Sequence, residues 1–263
     1  MGIFQKKVSP EQQKVVDNLR KVLGDKDFQL FERLVQEELA KPPKVAIIGK
    51  TGVGKSTTIN ALFGLEEKVS HTRHGTTEAS KKIIELPQGG KLEVIDMPGL
   101  GEDIELDEEY AKIYERTLPE ADIVLYVIQA DVKALKEDQR ILRDIVQNVM
   151  GNLKGRLVVG LNQVDKIGPG RWNTKFNYPS PDQEDNINRR CEDIQKKLSS
   201  ALSINVEQVE YYSAEKRYRL YHLLAAIIKA SGNVGWKFTI NPADPIALAD
   251  PSVQDLLRKQ LES

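Results

Sequence analysis

Residues 49–56 read Gly-Lys-Thr-Gly-Val-Gly-Lys-Ser, a complete G-x-x-x-x-G-K-S loop directly after the apolar run Val45 to Ile48. No other feature of the chain narrows its possible folds so far. Glycines let the backbone wrap an anion while the following helix presents its positive N-terminal end, so the pattern demands a strand, a tight loop and a helix in that order. It assigns Gly49, Lys50, Thr51, Gly52, Val53, Gly54, Lys55, Ser56 and Thr57 to phosphate binding. Lys55 is expected to reach the β- and γ-phosphates, and Ser56 to hold magnesium.

From Lys44 onward strand and helix patterns alternate, which predicts an α/β fold. Apolar runs predict strands at Val45 to Ile48, Ile83 to Leu86, Leu92 to Ile95, Ile123 to Ile128, Leu157 to Leu161 and Val209 to Tyr212. The turn Pro87-Gln88-Gly89-Gly90 is too short for a crossover helix, so the second and third strands should be antiparallel and the others parallel. Helices are expected at Lys55 to Phe63, Asp107 to Thr117, Lys136 to Met150, Ile187 to Leu202 and Glu215 to Ala230, covering both faces of a six-stranded sheet. Ligands then belong at the C-terminal ends of the strands.

Three segments follow from the same patterns. Residues 1–43 read as a helical hairpin, opened by the capping signature Ser9-Pro10-Glu11-Gln12 and broken at Gly24-Asp25. Its apolar stripe runs through Val15, Val16, Leu19, Val22 and Leu23, then Phe28, Phe31, Leu34, Val35 and Leu39. Residues 44–231 form the nucleotide-binding domain, with a polar insertion at 168–188 that reads as a loop able to move or bind. Residues 232–263 read as a C-terminal arm, Trp236 to Ile240, followed by a short helix, Ser252 to Leu261.

A phosphate loop alone does not choose the base or the reaction. Asp96 ends the third strand and opens Asp-Met-Pro-Gly, placing a carboxylate to hold magnesium through water and the Gly99 amide to sense the γ-phosphate. Gly75-Thr76-Thr77 lies where a mobile loop can bring the Thr77 hydroxyl onto magnesium. Lys55, Thr77 and Gly99 are thus the candidate catalytic groups, and Ser56, Thr77 and Asp96 the candidate magnesium ligands. Asn162-Gln163-Val164-Asp165 ends the fifth strand, and a carboxylate there accepts from N1–H and the exocyclic amine of guanine, a pair of donors that adenine lacks. Ser213-Ala214, after the last strand, would supply a backbone N–H near the guanine carbonyl oxygen. The expected ligands are GTP or GDP with magnesium.

These motifs resemble the translation-factor-related GTPases, within the group that includes Era, TrmE, septins and the chloroplast import receptors, over about residues 44–231. Asp96-Met-Pro-Gly-Leu-Gly-Glu, Asp107-Glu-Glu-Tyr with Tyr114, Leu118-Pro119 and Ala130-Asp131 with Ala134-Leu135 are similar to the bacterial YfjP-type GTPases. Immunity-related GTPases are a more distant likeness. The resemblance implies a Ras-like P-loop NTPase fold and a GTP-hydrolysing switch, with a nucleotide-dependent homodimer and a ribosome or protein effector as partners. Two positions depart from the pattern. Gln163 replaces the usual lysine, and Leu100 stands where Ras-type switches carry the glutamine that orients the attacking water. Slow intrinsic hydrolysis is therefore expected, assisted by dimerisation or a partner. Gly52 replaces the asparagine of potassium-using relatives, which argues against a potassium requirement. Arg73, His74, Glu102 and Arg116 lie in or near the mobile loops as candidate assisting groups. The other reading is a nucleotide-dependent assembly module with negligible hydrolysis.

Charge adds an exclusion. With 38 Lys plus Arg against 39 Asp plus Glu, the net charge of −1 leaves no general footprint for DNA or an anionic membrane. Cys191 is the single cysteine, so no intrachain disulfide forms, and a cytoplasmic location is expected. No apolar run approaches a transmembrane length.

Overall fold

Lys44–Ile48 (β1) and Ile123–Gln129 (β4) are almost wholly apolar, as strands covered on both faces must be. They pair in parallel at the centre of the sheet. The computed structural model describes residues 10–39, 41–63, 78–85, 91–101, 104–132, 134–207 and 209–233. The chain divides into two compact units, Met1–Pro42 and Pro43–Ser263.

In the larger unit β1 leads to Lys55–Phe63 (α2), Ser80–Glu85 (β2) and Lys91–Asp96 (β3). Next come Ile104–Thr117 (α3), β4, and a helix over 136–150 (α4) that is π-helical between Ile141 and Gln147. Leu157–Asn162 (β5), a small hairpin of Trp172–Asn173 (β6) and Tyr178–Pro179 (β7), Pro181–Leu202 (α5), Val209–Tyr211 (β8) and Leu220–Asn233 (α6) complete it. The six-stranded sheet has the order β2-β3-β1-β4-β5-β8. Within this sheet, among the described residues, only the β2–β3 pair is antiparallel, with Glu85 opposite Lys91. The expected α/β fold with one antiparallel strand is therefore present.

Alternation along the strands divides the core. Ala46, Ile48, Val124, Tyr126 and Ile128 face a layer that contains Tyr110, Tyr114, Ile141, Ile187 and Ile194. Val45, Ile47, Ile123, Leu125 and Val127 face Ile59, Leu62, Leu223 and Ile227. Register brings the strand ends together: Ile47 pairs with Asp96, Gln129 with Asn162, and Leu161 with Tyr211. The loops that leave β1, β3, β5 and β8 thus meet along one edge.

The N-terminal unit is helical over Pro10–Leu39 (α1), interrupted at Gly24, whose φ of 74° and ψ of 160° are not helical. The Arg20 guanidinium lies 4.6 Å from the Phe28 ring centroid across this break. Phe28 is buried, but Val22 is 82% exposed and Leu23 36%, so two members of the expected apolar stripe face solvent.

The largest differences from expectation lie beyond residue 167. The last-named helix of the sheet layer begins at Leu220, not Glu215, because Ser213 and Tyr218 exchange backbone hydrogen bonds of 3.1 and 2.9 Å and Arg217 and Arg219 are left-handed. Helix α5 begins at Pro181, six residues before the expected Ile187, with Ser180 as its cap. The insertion 168–188 is consequently no loop: it holds the β6–β7 hairpin and the first two turns of α5. The turn 87–90, Thr77 and the arm and helix expected beyond 233 lie outside the described residues.

Candidate nucleotide-binding site

The loop after β1 is shaped by backbone that only glycine tolerates well at key points. Gly54 has a φ of 90°, and a Cβ there would come within 2.5 Å of Asn162 Nδ2. Lys55, at the first turn of α2, is buried and folds back over the loop, its Nζ donating to Gly49 O at 3.2 Å and Lys50 O at 3.1 Å. Thr58 fixes the helix from behind: its Oγ1 donates to Gly54 O at 2.7 Å and lies 2.9 Å from Tyr212 Oη. Burial pushes the Tyr212 phenol well above the usual phenol range, so the hydroxyl keeps its proton.

Ser56 Oγ donates to Asp96 Oδ2 at 2.8 Å, so two of the three expected magnesium ligands meet, one from α2 and one from the end of β3. The third, Thr77, lies outside the described residues, as do Gly75, Thr76, Arg73, His74 and Glu102. Arg116 is described and exposed.

Gly99 packs so closely on the phosphate loop that a Cβ would collide with the Thr51 backbone. Next to it Leu100 is fully buried, and its carbonyl accepts from Thr51 N at 3.2 Å. Tyr114, buried on α3, donates to Pro98 O at 2.8 Å and so holds this turn from beneath. Lys50 carries its ammonium to the buried Asp138 carboxylate at 2.9 Å, which also accepts from Tyr126 Oη at 3.2 Å. This pair, and the Thr58–Tyr212 contact, join distant segments without any local motif. Sequence reasoning missed both. Burial together with the Asp138 charge raises the Tyr126 pKa well above the usual phenol range.

Asn162 joins three loops. Its Nδ2 donates to Val53 O at 2.9 Å, and its Oδ1 accepts from Ala214 N at 3.0 Å. Gln163, left-handed at φ 64°, donates to Gly52 O at 3.2 Å, so the residue that replaces lysine ties the base-reading loop to the phosphate loop. Ser213 is buried and its Oγ accepts from Lys216 N at 3.1 Å. Asp165 sits in a short 3-10 turn, Val164–Lys166, and its Oδ1 is buried without a hydrogen-bond partner. A buried carboxylate oxygen in that condition is costly unless a ligand donates to it. The residues therefore fit a guanine at Asp165 and magnesium at Ser56 and Asp96.

Residues 44–163 match the family described as 50S ribosome-binding GTPase. The chain carries a P-loop GTPase domain. It is 31% identical over 180 residues to the uncharacterized protein YfjP of Escherichia coli (strain K12), a match covering 67% of this chain and 60% of YfjP. The chain thus spans about 60% of the length of the curated relatives it matches first. Among solved structures, Era of Aquifex aeolicus bound to GDP and AlF4− superposes with a TM-score of 0.55 and 25% identity, over 78% of this chain and 60% of Era. Toc33 of Arabidopsis thaliana with GDP and Mg2+ gives 0.59 and 21%, over 82% and 94%, a likeness of fold. For Toc33, dimerization is described as important for the GTPase activity.

Proposed function

We propose that this chain is a guanine-nucleotide switch that binds GTP with magnesium, hydrolyses it slowly alone, and is accelerated by a second copy or another partner. The observation that carries the reading is the buried, unpartnered Asp165 Oδ1 at the end of β5, beside loops that Asn162 ties to the phosphate loop. Guanine supplies the missing donors through N1–H and its amine, whereas adenine leaves the carboxylate unpaired.

In this reading Lys55 and the backbone of residues 49–57 hold the β- and γ-phosphates, and Ser213 and Ala214 border the base. Ser56, Asp96 and Thr77 hold magnesium, which neutralises charge between the phosphates. Gly99 and Thr77 would change position with the γ-phosphate, as switch loops do. Leu100 supports the slow rate: an apolar, fully buried side chain cannot orient the attacking water. The same observation favours a second reading, a nucleotide-dependent assembly module whose hydrolysis is negligible. A cytoplasmic location and a ribosomal or protein effector accompany the first reading, in keeping with the family's description.

Two measurements decide. GTP should bind far more tightly than ATP, and Asp165→Asn should shift preference towards xanthine nucleotides by roughly 10²-fold or more, because the amide reverses part of the donor pattern. Equal affinity for GTP and ATP would sink the base assignment. Single-turnover hydrolysis at rising protein concentration separates the two readings: a rate that climbs supports a self-activating switch, and no hydrolysis at any concentration supports the module.

A further inference from the structure

The hairpin β6–β7 and the start of α5 are inserted after the Asn162–Asp165 segment, and two of their polar side chains, Asn177 and Gln183, bond the backbone of neighbouring segments. Asn177, left-handed at φ 54°, accepts from Trp172 Nε1 at 3.1 Å and donates through Nδ2 to Lys216 O at 2.8 Å. Lys216 belongs to the turn closed by the Ser213–Tyr218 backbone pair. The Trp172 ring meets the Tyr218 ring edge-on, 5.0 Å between centroids at 89°. One end of the hairpin therefore holds the loop that follows β8.

The other end holds the Asp165 turn. Gln183 is 1% exposed, and its Nε2 faces Ile167 O at 2.9 Å, Asp165 O at 3.2 Å and Val164 O at 3.4 Å. Val164 O is already paired with Ile167 N at 3.2 Å across the 3-10 turn, so the amide of Gln183 chiefly serves Asp165 O and Ile167 O. Gln183 is placed in turn by Ser180, whose Oγ accepts from both Gln183 N and Arg171 N. Gly170 lies so near that a Cβ would come within 2.7 Å of both Gln183 Cβ and Ser180 Oγ. Trp172 and Ile187 of the insertion pack on the core. Beside that packing, the insertion directs two amides at backbone carbonyls of the two segments that border the base.

We propose that the insertion is the outer scaffold of the guanine pocket, with Asn177 and Gln183 as positioning residues: Asn177 sets the Ser213–Tyr218 loop and Gln183 sets the Asp165 turn. The assignment rests on the guanine reading above and makes a prediction that reading does not. The two residues act on different edges of the base. The loop after β8 faces the carbonyl oxygen, which guanine and hypoxanthine share and adenine lacks. Asp165 faces N1–H and the amine, and hypoxanthine lacks the amine.

The experiment measures GDP, IDP and ADP affinities and thermal midpoints for the full chain and three variants. Asn177→Asp keeps the acceptor for Trp172 and removes the donor to Lys216 O; Asn177→Gly keeps the left-handed backbone if the aspartate variant folds poorly. Each should weaken GDP and IDP equally, by roughly tenfold, and narrow the GDP-to-ADP ratio by a similar factor. Gln183→Met preserves side-chain length and the backbone cap; it should weaken GDP by roughly tenfold and IDP much less, narrowing the GDP-to-IDP ratio. Ratios that stay at the unmodified values in all three variants, whatever happens to the thermal midpoints, overturn the proposal and leave the insertion a stability element. An unmodified chain that binds GDP and ADP alike overturns the guanine reading itself, and this proposal with it.

Discussion

The phosphate-holding end of the site and the base-reading end are built by different means. Lys55 bonds carbonyls five and six residues away, and Thr58 one four residues away, so much of the phosphate loop is closed by its own residues, with Leu100 O and Asp138 adding ties from later segments. The base-reading end depends on partners far along the chain: Ala214 reaches Asn162 across 52 residues, and Asn162 reaches Val53 across 109. Local closure makes the first end a motif that survives transplantation between folds. Distant closure makes the second a product of tertiary packing, with a short motif as its only visible trace.

The sharpest way to break this contrast is Lys55→Ala. Loss of the ammonium should weaken GTP and GDP by roughly 10²-fold or more, since charge-assisted bonds to phosphate are each worth about 1.5–3 kcal/mol. Preference for guanine over adenine should persist in whatever binding remains, because no base contact is touched. The unliganded thermal midpoint should hardly move, as the variant also removes the cost of burying a charge. Titration with a fluorescent nucleotide and a melting curve check both halves. Retained tight binding would remove Lys55 from the site.

Asn162→Ala comes next and attacks the joint between the two ends. Val53 O and Ala214 N would each lose a buried partner, at about 1–3 kcal/mol apiece, so the unliganded protein should melt several degrees lower. Affinity for GDP and ADP should fall together, because both the phosphate loop and the base loop shift. A variant that loses guanine preference while keeping its melting temperature would show that Asn162 reads the base rather than joins the loops.

What could be read beforehand follows the same division. The six strands, the antiparallel β2–β3 pair and the Ser56–Asp96 meeting were legible because strand runs and phosphate motifs are local. The role of 168–188 was not. Ser180-Pro181-Asp182-Gln183 repeats the capping pattern of Ser9-Pro10-Glu11-Gln12, and only the earlier copy was read as a helix start. The later copy sits among Asn, Gly and Pro residues that mimic a loop, and the carbonyls that Gln183 serves belong to another segment. Tyr114 beneath Pro98 and Asp138 beneath Lys50 were hidden for the same reason: a buried tyrosine or carboxylate has no spacing rule that names its partner. Val22 and Leu23 fail in the opposite direction, since helical periodicity predicts a shared face but not that anything covers it.

The smallest expected effect belongs to Gln163→Ala, and it tests whether the two ends need a second tie. Gln163 donates to Gly52 O at 3.2 Å and accepts from Lys166 Nζ at 3.1 Å, both bonds on the exposed side of the loops. Water can replace such partners, so the loss is worth about 0.5–1 kcal/mol, or roughly a two- to fivefold weaker GDP affinity. Because the side chain joins backbone to backbone, ADP should weaken by the same factor and the ratio should hold. Alanine at a left-handed φ adds about 1 kcal/mol of strain, so Gln163→Gly is the companion that removes the side chain without it. If both variants change the GDP-to-ADP ratio, Gln163 contacts the base as the lysine of related sites is expected to, and the separation between the two ends is less complete than the hydrogen bonds imply.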